Sequence, residues 1–257
     1  MLVMVASFSS CRKKGCTDPN SLSYNPEAKK DDGSCTTPTA LKKALVFKKT
    51  ATWCPPCGDW GSTYSHDISS AYSNCQVIAI HGDMAMETTV GDAIMDALES
   101  AGWPHFYTGT VSQPNSYSSI SSSVNTELAE AVEVSMAMEK STNGSTINVR
   151  VQSQWLGSTS GEYFLALYVL EDGIVEPQLV YINDSTTITD NSFVHDHVLR
   201  GEASGAAFGK AITINGEGNL EEFDIPLGSS MVPANCYPVA VMWKKNGADY
   251  DFINLIK

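Results

Sequence analysis

The residues best suited to chemistry lie in one short segment, Thr50-Ala51-Thr52-Trp53-Cys54-Pro55-Pro56-Cys57. Thiol–disulfide exchange needs two neighbouring thiols, one to attack and one to resolve the mixed disulfide, and a C-x-x-C supplies both. Cys54 stands where a helix would start, so free N–H groups and the helix dipole would favour its thiolate. Cys57 lies on the first turn, and Trp53 would shield one side. Neither Pro55 nor Pro56 has an N–H. The Cys54 thiolate therefore loses two amide donors and relies mainly on the Cys57 N–H and the dipole. A less stabilised thiolate means a less stabilised reduced form, which moves the pair towards reductants.

The stretch Gly102-Trp103-Pro104-His105-Phe106 supplies a second part of the same chemistry. An X-Pro bond tolerates the cis form at modest cost. A cis-proline facing the C-x-x-C would leave the Trp103 backbone open to pair with an extended substrate segment. Trp53, Trp103 and Pro104 are thus the candidate substrate-binding residues. Thioredoxins, whose site this segment resembles, bury a carboxylate six residues before the first cysteine, where it helps move the proton of the second thiol. Here that position is Lys48, followed by Lys49. A metal at Cys54 and Cys57 is a poor fit, because prolines fill the chelate loop and a second cysteine pair is missing. His195 and His197 would share one face of a strand. With no third ligand nearby, they read as packed polar residues near a domain interface.

These residues need elements to hold them. Ala44-Leu45-Val46-Phe47 reads as a buried strand, and Cys57, Trp60, Tyr64, Ile68, Ala71 and Tyr72 recur at helical spacing. Val77–Ile80 reads as a second strand, Ile94–Ala101 as a helix stopped by Gly102, and Phe106-Tyr107 as a third strand before a serine-rich helix. This order predicts an α/β thioredoxin-like domain over residues 40–130. A C-x-x-C between an apolar strand and a helix is the mark of a thioredoxin-type redox site. From about residue 132 the apolar period becomes two, with Asn143-Gly144 and Asn246-Gly247 as hairpin turns. Residues 131–257 are therefore predicted to form an all-β sandwich domain.

The N-terminal part is different. Residues 1–10 read as the tail of a secretory signal, and Phe8-Ser9-Ser10-Cys11 resembles a bacterial lipobox, which makes Cys11 the lipidated residue. Residues 11–39 then form a tether, a cysteine-bounded acidic module and a linker. The module is loosely similar to thrombospondin type 3 repeats, and Asp18, Asp31 and Asp32 offer oxygen ligands suited to calcium. Their spacing is not that of an EF-hand loop, so a disulfide-pinned spacer is the simpler reading. Of the seven cysteines, acylation of Cys11 leaves six. Disulfides persist in exported proteins, so Cys16 and Cys35 are expected to pair. Cys75 and Cys236 remain, either as a bridge between two domains or as two buried thiols.

Composition sets the limits. The chain has 257 residues, 42% hydrophobic, with 16 basic against 29 acidic side chains and a net charge of −13. No apolar run reaches the roughly 18 residues of a transmembrane helix. The acidic balance argues against nucleic acid as a partner.

With the Trp-Cys-Pro-Pro-Cys site, the β-rich half and Phe193-Val194-His195-Asp196-His197-Val198-Leu199-Arg200 in view, the chain resembles the outer-membrane-protein-28-related lipoproteins of Bacteroidota-type bacteria. The site also resembles that of exported thioredoxin-like reductases of cytochrome c maturation. The resemblance implies a lipid-anchored protein of the bacterial envelope, at the outer membrane. Its expected function is thiol–disulfide exchange on the thiols and disulfides of exported proteins. The alternative is a surface binding or adhesion lipoprotein with Cys54–Cys57 as a static bond. No cofactor is expected beyond calcium in the acidic module.

Overall fold

A computed structural model describes residues 12–82, 85–98, 102–157, 160–183, 186–213 and 218–257. The lipidation candidate Cys11 lies outside them. The contacts divide the chain into two units, Met1–Thr37 and Pro38–Lys257.

The small unit has little apolar material to bury, essentially Cys16 and Leu22. A disulfide joins Cys16 to Cys35. The Ser21 hydroxyl binds both the N–H and the carbonyl of Thr36, at 2.8 and 2.9 Å, so polar bonds do the work of a core. The three aspartates do not converge. Asp18 accepts from the Asn20 N–H, Asp31 from the Gly33 N–H and Asp32 from the Ser34 N–H. Each carboxylate closes its own turn. Among the described residues, no three His, Cys, Asp or Glu side chains are grouped to hold a metal ion.

The large unit runs, in chain order, β1 (Ala44–Thr50), α1 (Pro55–Gly58), α2 (Trp60–Ala71), β2 (Cys75–His81), α3 (Thr89–Ala97), β3 (His105–Thr108), β4 (Val111–Gln113), α4 (Tyr117–Leu128), β5 (Val134–Asn143), β6 (Thr146–Trp155), β7 (Tyr163–Glu171), β8 (Ile174–Val175), β9 (Gln178–Asn183), β10 (Thr186–Asp190), β11 (Val194–His195), β12 (Val198–Glu202), β13 (Lys210–Ile212), β14 (Gly218–Pro226), β15 (Cys236–Asn246) and β16 (Asp249–Ile256). β1 and β2 pair in parallel and are buried nearly throughout, which is why both read as continuous apolar runs.

The expected α/β thioredoxin-like domain followed by a separate β-sandwich is not what forms. The large unit is mostly strand, built on one mixed sheet in the order β16-β15-β7-β12-β2-β1-β3-β4, with β13 also on β7. Strands from the two halves of the chain form two blocks, β16-β15-β7-β12 and β2-β1-β3-β4, joined where β12 meets β2. β12 lies parallel to β2 at Val198 and Ala79, and antiparallel to β7. Period-two patterning locates such strands but does not name their partners, so the late strands read as a domain of their own.

The sheet has two buried faces. On one, Leu45, Phe47, Ile78 and Ile80 run on into Tyr168, Val241 and Trp243, under Val90 and Ile94 of α3. The other face is shared. Val46, Val77 and Phe106 pack on α2 and α4. Leu165, Leu167 and Met242 pack on a second sheet of order β14-β6-β5. Only this last contact is a sandwich.

Phe193–Arg200 is the seam between the halves. The Ala79 N–H donates to the His197 carbonyl at 2.8 Å. His197 has φ +60°, a left-handed conformation that few non-glycine residues adopt. It is held there by Asp172, which accepts its N–H at 2.6 Å and the Tyr237 hydroxyl at 3.2 Å. His195 and His197 thus belong to no common strand face. Arg200 pairs with buried Glu171 at 3.1 Å.

A bridge between Cys75 and Cys236 is ruled out, since both are free thiols. Cys236 is in register with Glu171, Glu171 with Val198, and Val198 with Ala79. Three inter-strand steps separate the strands that carry the two cysteines, about 14 Å at the usual spacing, against the roughly 7 Å a disulfide can span. Burial pushes the Cys75 thiol up to about 12, so it is inert.

Burial tends to raise the Asp172 carboxyl, but its hydrogen bonds from His197 and Tyr237 outweigh this and hold it below the ordinary value. A depressed carboxylate stabilises the fold above its unfolded pKa of about 3.9 and loses that contribution as pH falls through the folded value. Asp172→Asn is expected to cost about 1 kcal/mol at pH 7, a modest figure because the carboxylate is partly exposed. Urea unfolding at pH 7 and at pH 3 checks this, with the two proteins converging at the lower pH.

Candidate functional site

β1 ends at Thr50, and a tight turn brings the chain to Cys54, which caps α1 in an extended conformation. A disulfide joins Cys54 and Cys57. The helix expected to follow without a break is divided. α1 has four residues, and Asp59 separates it from α2. The dipole aimed at Cys54 is that of a single turn. The Cys57 N–H, expected as the remaining donor to a Cys54 thiolate, is already given to the Cys54 carbonyl at 3.0 Å. Both changes further weaken support for a thiolate.

One wall of the site is Trp103 and Pro104, whose peptide bond is cis. Trp103 packs with Ala51, Cys54 and Cys57. Its ring meets Trp53 edge-on at 5.4 Å, and the Lys49 ammonium lies 4.3 Å from its centre, a cation–π contact. A Cβ built on Gly61 would come within 2.7 Å of the Pro104 ring, so only glycine lets α2 approach this wall so closely. Trp53 is the exposed partner at 52%, and its indole N–H reaches the Gly82 carbonyl at 3.4 Å. His105 turns away from the thiols. It bonds Ser112 at 2.7 Å and packs against Tyr107. Burial, then the Lys49 charge, lowers its pKa.

The opposite wall comes from the other half of the chain and was not legible in the sequence. Gln178, at the start of β9, is buried, and its side-chain amide donates to the carbonyls of Ala51 (3.2 Å) and Cys54 (3.0 Å). The Leu179 N–H donates to the Thr52 carbonyl at 2.8 Å. The β9–β10 hairpin is thereby seated on α1. Gly58 permits it, because a Cβ there would stand 2.6 Å from Gln178 and 2.7 Å from the Leu179 carbonyl. Between the two walls Cys54 is only 3% exposed and Cys57 1%.

Beneath α2 lies Lys48. It is in register with Ala79 on β2 and Phe106 on β3, on the sheet face that carries Val46. It is 8% exposed, and burial lowers its amine to about 8. It lines a cleft of about 380 Å³ together with His81, His195 and His197.

The fold and site describe a β-rich protein with a disulfide in a C-x-x-C turn, and comparison with known proteins narrows the class. The chain belongs to the family of Outer membrane protein Omp28, which matches residues 91–255. That family places it in the bacterial cell envelope. The matched region holds Trp103, Pro104 and the Phe193–Arg200 seam, and begins after the C-x-x-C. HBP35 of Porphyromonas gingivalis has a similar fold, with a TM-score of 0.69 at 13% identity over 86% of this chain and 76% of that one. A domain of the outer membrane lipoprotein Omp28 from the same organism aligns at 20% identity over 49% of this chain and 87% of its own, with a TM-score of 0.33. A protein from Agrobacterium tumefaciens aligns at 11% identity over 85% and 94%, with a TM-score of 0.48. No curated protein matches the chain.

Two measurements test this geometry. Gly58→Ala should push the hairpin off α1, cost about 1–3 kcal/mol as overpacking does, and speed reduction of Cys54–Cys57 by dithiothreitol severalfold. Lys48 has a folded pKa below its unfolded value, so the unfolded chain binds more protons between about pH 8 and 10.4. Stability should therefore rise across that window, and Lys48→Met should flatten the rise and stabilise the protein at pH 7.

Proposed function

We propose that this Omp28-family protein carries out thiol–disulfide exchange in the cell envelope, on a narrow set of exported proteins. The observation that carries the reading is the Cys54–Cys57 disulfide set against the Trp103-Pro104 wall, with Trp53 exposed beside it. Cys54 is the attacking thiol, because it caps α1 while Cys57 lies inside the turn. In the first step a Cys54 thiolate attacks a client disulfide, forming a mixed disulfide and releasing one client thiolate. Cys57 then attacks Cys54, restoring the intramolecular bond and releasing the second. The client leaves reduced by two electrons, and an upstream envelope dithiol must reduce the protein again.

With no N–H at Pro55 or Pro56 and that of Cys57 engaged, the reduced form has little support. The pair therefore belongs nearer the potential of thioredoxin, about −270 mV, than that of a strong oxidant, about −120 mV. The seated hairpin restricts access, so clients reach Cys54 past Trp53 or after the hairpin lifts. Cys11 carries the lipid that holds the protein to its membrane.

A second reading is a surface binding protein with a static disulfide. It is favoured by the near-complete burial of Cys54 and by the tie from Gln178. Redox titration with an insulin-reduction assay separates the two. A bond reducible near −270 mV with turnover supports exchange. A bond that stays closed at strongly reducing potentials, without turnover, supports the static reading. Under exchange, Cys57→Ser should accumulate mixed disulfides with envelope proteins in the cell, and Cys54→Ser should accumulate none.

A further inference from the structure

The cleft beneath α2 is outside the exchange chemistry, and its floor is unusual. Lys48 rises from the middle of a buried strand with 8% of its surface exposed. Among the described residues its amine has no hydrogen bond and no carboxylate partner, and nothing but desolvation acts on its pKa. A buried, unpaired ammonium is costly, and proteins normally pair such a group or neutralise it. Elsewhere this protein does pair one. Buried Lys42 bonds Glu127, Glu130 and the Ile253 carbonyl. At Lys48 the place of the partner is taken by a cleft open to solvent.

The rest of the lining suits one kind of occupant. Ser65 and Ser69 come from α2, His81 from β2, and His195 and His197 from the seam. The His81 and His195 rings meet edge-on at 5.2 Å. Ser69 bonds His197 Nε2 at 3.1 Å, which fixes that side of the cleft. The remaining ionisable groups facing it are His66 from α2 and Asp196 from the seam. Asp196 is the only carboxylate among these groups, and it accepts from the Gly173 N–H at 2.8 Å. His195 Nε2 meets the Glu176 carbonyl at 3.2 Å, and His197 is held by Ser69 and the Tyr237 hydroxyl, which leaves the Ser62 and Ser65 hydroxyls of α2 and the unpaired Lys48 ammonium as a donor set for an oxyanion.

We infer that this cleft binds a small oxyanion, a carboxylate or phosphate group, with Lys48 as its counter-charge and the Ser62 and Ser65 hydroxyls as donors. A volume of about 380 Å³ admits a whole small organic acid, or an acidic side chain or phosphoryl group on a larger molecule. The site needs neither thiol, so it stands whether or not the disulfide is active.

Inorganic phosphate and succinate are the two probes, titrated into the full chain at constant ionic strength with sodium chloride as control. Binding is followed by NMR on the histidine ring and lysine Cε signals. At least one probe should give saturable shifts of the His81, His195 and Lys48 signals. Which of the two binds tells the phosphate class from the carboxylate class. The titration midpoint of Lys48 should move upward when the anion is bound, because an anion favours the ammonium. Lys48→Gln should weaken binding at least tenfold, and Ser65→Ala severalfold. The inference is overturned if neither probe shifts these signals beyond chloride, if saturable shifts map elsewhere on the wild-type protein, or if Lys48→Gln binds as tightly as wild type.

Discussion

The whole large unit depends on one short ladder contact, the parallel pairing of β12 with β2 at Val198 and Ala79. It joins strands from opposite halves of the chain into a single sheet. Without it, Leu45, Phe47, Ile78 and Ile80 would lose their continuity with Tyr168, Val241 and Trp243, which share one buried face with them. The contact is short because His197 turns the chain sharply into it, and that turn is held by Asp172 and Tyr237. A left-handed residue braced by a partly buried carboxylate is a local expense set against a large continuous core.

The same seam creates both features of functional interest. By bringing residues 172–200 against the early strands, it sets His195 and His197 over Lys48. It also brings the β9–β10 hairpin within reach of the Cys54–Cys57 turn. Access to the disulfide and the character of the cleft are therefore settled by residues far along the chain from either. The amide surroundings of Cys54 are set locally, by two prolines without an N–H and by the engaged N–H of Cys57. The cover over the disulfide and the local surroundings of Cys54 thus come from different parts of the chain.

Much of the local structure was legible. Cys54, Cys57, Trp103 and Pro104 come together as their positions in the chain suggested, because strand, turn and helix signals are short-range. Both Asn-Gly turns fall between paired strands, with Gly144 and Gly247 at φ near +60°. The long-range arrangement was not legible. Patterning marked 193–199 as a strand candidate, but it could not show that Val198–Glu202 adds to β2 rather than to a sandwich of its own. Gln178 carried no signal, because a buried glutamine bonded to distant carbonyls looks like any surface glutamine in sequence. Lys48 was visible only as the absence of an expected carboxylate. That it points into a cleft follows from the placement of Ala79 and the seam, which no local pattern encodes.

The seating of the hairpin on α1 also fixes an order of events. The chain leaves the ribosome, and enters the envelope, from its N-terminal end, and domains begin to organise in that order. Cys54 and Cys57 are three residues apart and need nothing later in the sequence to meet. Gln178 stands 121 residues after Cys57, so it and the hairpin arrive much later. The two thiols can therefore join before the cover is in place to close over them. In the folded protein that approach is covered by Gln178 and the hairpin. Any later reduction must come from a partner able to work around Gln178.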